Sequence, residues 1–382
     1  MSLIARFSAV FLLTFSLFAA AAVPPPPQLA AKSWVLMDAA SGSVLVDQLG
    51  SRRLPPASLT KLMTSHVAAL ELQRGRIKES DLVTISEKAW RMGGSKMFVK
   101  VGDQVAVSDL LRGIIVQSGN DASIALAEHL AGGEETFAAL MNQEAKRLGL
   151  AETHFVNATG WPAEGHYSSA LDMAKLARAI VIEDPEHYAL YAEKEFVWSG
   201  IRQPNRNLLL WRDPTVDGLK TGHTEEAGYC LVASAERDGQ RLIAVVFGTD
   251  SEAARANETA KLLGYGFNFF ESKTYFKRGE AVQSVDVWKG AARTLKAGVA
   301  ADFAAALPKG SGSTYQTHVA LATADLVAPV AAGAPLGRVE LVSADGKVVM
   351  QAPLVALETV EEGGFFRRIW DSIRLFFRGL FG

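Results

Sequence analysis

One cysteine, Cys230, stands in 382 residues. No disulfide can form within the chain, and the fold has to rest on buried apolar surface. Cys230 sits between Tyr229 and Leu231 in an apolar, strand-like run, the setting of a buried bystander rather than a reactive thiol. Histidine is sparse too. The seven histidines show neither H-E-x-x-H nor another metal-ligand spacing, so the usual zinc hydrolases are set aside and no metal is expected. No G-x-S-x-G string and no phosphate-binding glycine loop is present, which argues against a Ser-His-Asp hydrolase of the nucleophile-elbow type. An excess of positive charge is missing: the formal net charge is −2, without the basic face that nucleic-acid binding needs. A long apolar run occurs only at the N-terminus, where Arg6 precedes Phe7 to Phe18 and then Ala19-Ala20-Ala21-Ala22. That run falls short of the ~20 residues of a spanning helix. A charged start, a short apolar core and small residues make residues 1–22 a secretory signal peptide, cleaved near Ala22 ahead of Pro24-Pro25-Pro26-Pro27. The mature chain is expected to work outside the cytoplasm.

What is present is a globular composition, 49% apolar and 21% charged, in a chain long enough for two or three domains. Residues 29 to about 270 alternate helix and strand signals. Ser33 to Leu36 and Val44 to Val46 read as strands around Ala40-Ser41-Gly42. Ser58 to Leu72 reads as a helix, with Leu59, Leu62, Met63 and Val67 spaced for burial. Leu110 to Val116 and Ala122 to Leu130 read as buried helices, and Tyr229 to Ala235 and Leu242 to Gly248 as strands joined at Asp238-Gly239. This mixture predicts a sheet covered by helices.

After about residue 275 helical periodicity fades. In "RVELVSADGKVVMQ", Arg338 to Gln351, Asp345-Gly346 separates two apolar alternations, a hairpin signal. Residues 280–358 are read as a small all-β domain. From Gly363 to Gly382, at about 100° per residue, Phe366, Ile369, Trp370, Ile373, Phe377 and Leu380 share one face and Arg367, Asp371, Arg374 and Arg378 the other; Leu375 breaks the pattern. Residues 363–382 therefore read as an amphipathic helix lying in a membrane surface. The competing reading is a helix docked on its own protein.

Three short strings bear on chemistry. In "PPASLTKLMTS" Ser58 follows two prolines and precedes Lys61 by three positions. Ser58 could simply cap a helix, and S-x-x-K by itself is a weak signal. The spacing nevertheless puts Lys61 on the face of Ser58. A serine needs a base to become a nucleophile, and burial or a second cation makes a lysine basic enough to serve. "SGN", Ser118 to Asn120, follows Ser58 by 60 positions, and "KTG", Lys220 to Gly222, comes a further 102 on. Together, in this order, these strings mark penicillin-binding proteins and class A β-lactamases.

The chain resembles the low-molecular-mass penicillin-binding proteins, the D-alanyl-D-alanine carboxypeptidases of the penicillin-binding protein 5/6 group. The resemblance extends through "ASLTKLMTS", "VQSGNDA", "YSSALDMA", "EKEFVWSGIRQPNRN", "VDGLKTGHT" and "AGYCLVASA" to "GGFFRRIWDSI", nearly the whole mature chain. It implies a transpeptidase-like α/β (α+β) domain, an antiparallel sheet covered by helices, over residues 29–270, followed by the all-β domain and the terminal helix. It implies Ser58 as the nucleophile on the bond between two D-alanines and Lys61 as its base. Ser118 would pass a proton to the leaving amine, and Asn120 would hold the substrate amide. Lys220, on an edge strand, would keep Lys61 neutral by its charge and, with Thr221 and Gly222, receive the substrate carboxylate. The N–H groups of Ser58 and His223 would form the oxyanion hole, and Arg206 and Arg255 would steer the carboxylate.

No cofactor is implied. The implied partners are cell-wall peptides ending in D-Ala-D-Ala, β-lactams as their mimics, and a membrane surface at the periplasmic face of the inner membrane. In one departure from close relatives, the segment "NATGW" has Thr159 where some carry a histidine. "GGSKMF", Gly93 to Phe98, resembles a loop bordering the site. Two alternatives stand beside this reading. A class A-like β-lactamase would need an E-x-x-L-N loop, and none occurs between Ser118 and Lys220. A non-catalytic cell-wall scaffold would not need three intact motifs.

Overall fold

The computed structural model describes residues 23–381; the expected signal peptide, residues 1–22, lies outside the described residues. The first part of the described chain is built on a five-stranded sheet. Its strands are β1 (Ser33–Asp38), β2 (Val44–Gln48), β3 (Val216–Thr224), β4 (Gly228–Arg237) and β5 (Gln240–Thr249), in the order β2-β1-β5-β4-β3 with every pair antiparallel. Both faces are buried. Along β5, Ile243, Val245 and Phe247 enter one core while Leu242, Ala244 and Val246 enter the other. The period of two thus feeds two apolar layers, which is why the strand reads as a continuous apolar run.

Helices cover the sheet. On one side α1 (Thr60–Gln73), α2 (Val107–Ile115), α3 (Asn120–Ala131), α4 (Glu134–Arg147) and α5 (Ala170–Glu183) share the larger core; on the other lies α6 (Glu252–Phe269). Every residue of α1 from Thr60 to Ala69 is buried, as in a helix surrounded by protein rather than one with a wet face. The expected helix start at Ser58 is replaced by a 3-10 turn, Ala57–Leu59, that runs into α1. Ala57 sits at φ +48, a left-handed conformation that costs an alanine some strain. The turn also presents Ser58 ahead of the helix rather than within it.

Beyond α6 the chain is β-rich with its own core, which includes Val285, Leu295, Phe303, Val339, Leu341 and Leu354. Strand β6 (Phe270–Phe276) pairs with β9 (Phe303–Pro308). A six-stranded sheet combines β7 (Ala281–Trp288), β8 (Thr294–Val299), β10 (Tyr315–Leu321), β11 (Leu326–Val327), β12 (Pro335–Ser343) and β13 (Val348–Ala356), in the order β10-β12-β13-β8-β7-β11. The hairpin expected around Asp345-Gly346 is β12–β13.

Helix α7 (Phe365–Phe381) ends the described chain. It docks by its polar face. Asp371 accepts a hydrogen bond from Lys289 N at 2.8 Å, Arg367 donates to Ala291 O at 3.1 Å, Arg374 stacks 5.6 Å from the Trp288 ring, and Arg378 pairs with Asp325 at 3.1 Å. Phe366, Trp370 and Leu380 are 85%, 62% and 61% exposed. Among the described residues no helix is long and apolar enough to cross a membrane.

Candidate active site

The three sequence strings converge. The turn Ala57–Leu59 carries Ser58, the first turn of α1 carries Lys61, the head of α3 carries Asn120, and β3, the edge strand of the sheet, carries Lys220 to His223. Two glycines permit the approach. A side chain on Gly222 would lie 3.1 Å from Pro56 O and 3.3 Å from Leu59 N, so the strand backbone packs directly on the serine turn. A Cβ on Gly160, at φ +82, would fall 1.8 Å from Ala57 O, leaving room for glycine alone.

A cleft of about 870 Å³ opens over this junction, lined by Ser58, Asn120, Arg206, Thr221, Gly222, His223 and Arg255. Lys61, Ser118 and Lys220 are buried. Nine of the ten residues singled out from the sequence are thus brought to one locality, and Ser118 stands two positions before Asn120. The His223 ring stacks on Tyr229, with ring centroids 4.0 Å apart. Arg206 reaches across the mouth to donate to Ser95 Oγ at 2.8 Å. Arg255 is buried, stacks 5.5 Å from the Tyr229 ring, and donates to Arg206 O at 3.4 Å.

Lys61 is the centre of the electrostatics. Its Nζ lies 3.2 Å from Ser58 Oγ, 2.7 Å from Asn120 Oδ1 and 2.6 Å from Thr159 O. The last two atoms are acceptors only, so they take two N–H bonds of the amine and leave its third position facing Ser58. Burial pushes the Lys61 pKa down to about 7, helped by the positive charge of Arg206 and opposed by Asp121. The resemblance assigns that like-charge push to Lys220. Repulsion between the two lysines shows at Lys220, which burial, then Lys61, Arg206 and Arg255, hold well below the ordinary lysine value; Arg206 adds its own push on Lys61. An incoming carboxylate would reverse the penalty on Lys220.

Ser118 is buried at φ +67, and its hydroxyl has no hydrogen-bond partner among the described residues. A buried hydroxyl without a partner calls for an explanation, and the left-handed backbone at this position adds strain.

The sequence reading missed the acceptor on Thr159, since every residue offers a carbonyl. Its signal was indirect, in the departure noted at "NATGW". The loop Gly93–Phe98 does border the cleft through Gly94 and Ser95. Asp121 holds it by accepting from Met97 N at 2.8 Å and Phe98 N at 2.9 Å. Cys230 is buried, which pushes its thiol up to about 11. His66, Glu144 and Glu183 bring three ligand atoms within 4.8 Å of one another, but Arg147 donates to both carboxylates and none of the three lines the cleft.

Residues 19–251 match the family described as D-alanyl-D-alanine carboxypeptidase, and residues 270–362 match the penicillin-binding protein 5 C-terminal domain. The chain is 44% identical over 380 residues to the D-alanyl-D-alanine carboxypeptidase DacC of Escherichia coli, covering 98% of this chain and 95% of that relative. It is similar to penicillin-binding protein 5 from Haemophilus influenzae, with a TM-score of 0.83, 42% identity, and coverage of 89% of this chain and 100% of that one. It is also similar to penicillin-binding protein D2 from Listeria monocytogenes in an ampicillin-bound form, with a TM-score of 0.59, 29% identity, and coverage of 64% and 100%.

Proposed function

The chain belongs to the D-alanyl-D-alanine carboxypeptidase family and is a serine-type D-Ala-D-Ala carboxypeptidase; from this premise we propose how its own residues carry out the reaction. Lys61 in its neutral form takes the proton of Ser58 as Oγ attacks the carbonyl between the two D-alanines. A new C–O bond forms, and the negative charge moves to the carbonyl oxygen, received by the N–H groups of Ser58 and His223. The C–N bond then breaks. The proton held by Lys61 passes through Ser118 to the leaving amine, and the terminal D-alanine departs. Water cleaves the ester, returning Ser58 and releasing the shortened peptide. Thr221, Lys220 and Arg206 receive the terminal carboxylate, Arg255 holds Arg206, Gly222 lets the strand approach, and Asn120 meets the substrate amide. One observation carries this assignment: two acceptor-only groups, Asn120 Oδ1 and Thr159 O, occupy two hydrogens of the Lys61 amine, which directs its lone pair at Ser58.

The substrates are cell-wall peptides ending in D-Ala-D-Ala. The ampicillin-bound relative supports acylation of Ser58 by β-lactams as mimics of that ending. Residues 29–270 do the chemistry, residues 280–358 form a spacer, and residues 363–382 seat the protein on the periplasmic face of the inner membrane after export. The exposed apolar face of α7 supports that seating.

The test is mass spectrometry of the purified protein after incubation with penicillin and with a pentapeptide ending in D-Ala-D-Ala. One penicillin adduct on the Ser58 peptide and release of a single D-alanine are expected. Ser58→Ala should abolish both; an adduct retained by that variant refutes the assignment.

A further inference from the structure

We propose that His166 is a positioning residue for the acylating base: its imidazole clamps the loop 156–160 onto the first turn of α1 and so holds the Thr159 carbonyl against Lys61. The proposal rests on Lys61 being the base for Ser58.

The clamp is legible in the hydrogen bonds. Val156 N donates to His166 Nδ1 at 3.1 Å. An Nδ1 that accepts carries no hydrogen, so the ring hydrogen sits on Nε2 and is donated to Thr60 Oγ1 at 2.8 Å. Thr60 precedes Lys61, and Val156 stands three residues before Thr159. One ring therefore ties together the two chain segments that Lys61 Nζ bridges. Phe155 meets the ring edge-on, with centroids 5.9 Å apart, and Thr64 Oγ1 adds a second tie to Ala158 O at 2.7 Å. Because Gly160 packs against the Ala57 carbonyl, a shift of this loop is transmitted to the serine turn as well.

His166 also lines a second cavity of about 540 Å³ that shares Gly160, Pro162, Thr224 and Glu226 with the catalytic cleft. Behind the ring lie Thr60 and Lys61, both fully buried. Truncating the ring opens a route for water toward the ammonium, which relieves its desolvation and raises its pKa. The titratable groups facing the ring are Lys61 from α1 and His154 from the loop before the ring, with Arg53, Glu164 and Glu226 on the cavity walls. Burial, then the charges of His154 and Lys61, hold the imidazole down at about 4. The ring is thus uncharged over the range in which Lys61 titrates. A second proton would set Nδ1–H against the Val156 N–H and open the clamp.

The experiment measures the rate of acylation by penicillin against pH, from about pH 5 to 9, for the full chain, His166→Ala, His166→Gln and Thr60→Val. Rates are normalised to the fraction of molecules that bind penicillin at saturation. His166→Ala should acylate about tenfold more slowly at neutral pH and show its acid limb displaced to higher pH, with saturation by penicillin little changed. His166→Gln, whose amide can still donate to Thr60, should recover most of the rate and the position of the limb. Thr60→Val keeps the ring and its barrier to water but frees the Nε2 end of the clamp; it should slow acylation, which keeps the proposal testable if His166→Ala does not fold. An unmoved limb in His166→Ala, an undiminished rate in Thr60→Val, or a loss of binding fraction alone overturns it. Failure of the underlying reading is separate: the unmodified protein would then carry its penicillin on a residue other than Ser58.

Discussion

Asn120 holds two neighbours with one amide: its Oδ1 accepts from Lys61 Nζ at 2.7 Å while its Nδ2 donates to the Gly93 carbonyl at 2.8 Å. Asn120→Asp keeps the shape and inverts the electrostatics. A carboxylate at Oδ1 favours the charged form of Lys61, so the pKa rises from about 7. Each unit of that rise removes about tenfold of the neutral amine at a pH below it. The acylation rate of the aspartate variant should therefore fall about tenfold or more at neutral pH and recover toward high pH. A pH–rate profile of penicillin acylation checks this; an unmoved acid limb would mean that Lys61 is not the base.

Arg206 acts on the same amine through space and on the substrate by contact. Its charge lowers the Lys61 pKa, and its guanidinium lines the cleft mouth. Arg206→Gln should raise KM for a D-Ala-D-Ala peptide by about tenfold or more, the loss of one charge-assisted bond to a carboxylate. It should also move the acid limb of acylation upward. Substrates lacking the free carboxylate separate the two effects, because their KM should be nearly unchanged. Arg255, which touches Arg206 O and is covered by protein, should give a smaller rise in KM together with a lower Tm.

What the sequence disclosed follows from what the chemistry demands of side chains. Ser58, Lys61, Ser118, Asn120 and Lys220 stood out because nucleophile, base and carboxylate site require particular residue types at short fixed spacings. The apolar runs of β4 and β5 and the hairpin at Asp345-Gly346 were legible for the same local reason. The Thr159 carbonyl was not, since a main-chain acceptor has no letter of its own. Nor was the bond between His166 and Thr60, which spans 106 positions and exists only once the loop is folded back. Ala57 at φ +48 was hidden by its own propensity, which favours helix. Periodicity assigned residues to the two faces of α7 but carried no information on which face packs.

The buried pair His66 and Glu144 sets an acid limit on stability. Burial pushes the Glu144 carboxyl up, but hydrogen bonds from His66 and Arg147 outweigh it and bring the pKa down to about 2 from 4.5. A carboxyl with a depressed folded pKa contributes stability that is present above its unfolded value and is lost as pH falls toward the folded one. The contribution is on the order of 2 kcal/mol. Tm measured from about pH 5 down to pH 2.5 should fall, and Glu144→Gln should have a lower Tm at neutral pH with a flatter dependence in that window. A parallel decline in both proteins would locate the acid limit elsewhere.

If α7 seats the protein on a membrane as proposed, its orientation determines the kind of contact. Its basic side chains are engaged with protein: Arg367 at Ala291 O, Arg368 with Glu362, Arg374 on Trp288, and Arg378 with Asp325. Apolar residues point outward, led by Phe366 and Trp370. In that seating, attraction to anionic lipid should contribute little and apolar burial most, at about 1.5–3 kcal/mol for each large side chain that leaves water. Flotation with vesicles of neutral lipid should recover the protein, and recovery should persist at about 0.5 M salt, where the Debye length is only a few ångströms. Phe366→Ser combined with Trp370→Ser should weaken binding by at least about a hundredfold, on the area argument, while penicillin acylation in solution stays at the level of the parent protein. Binding that requires anionic lipid and disappears in salt would mean that the arginines, not the aromatic face, meet the bilayer, and that α7 leaves the β-rich part before it does so.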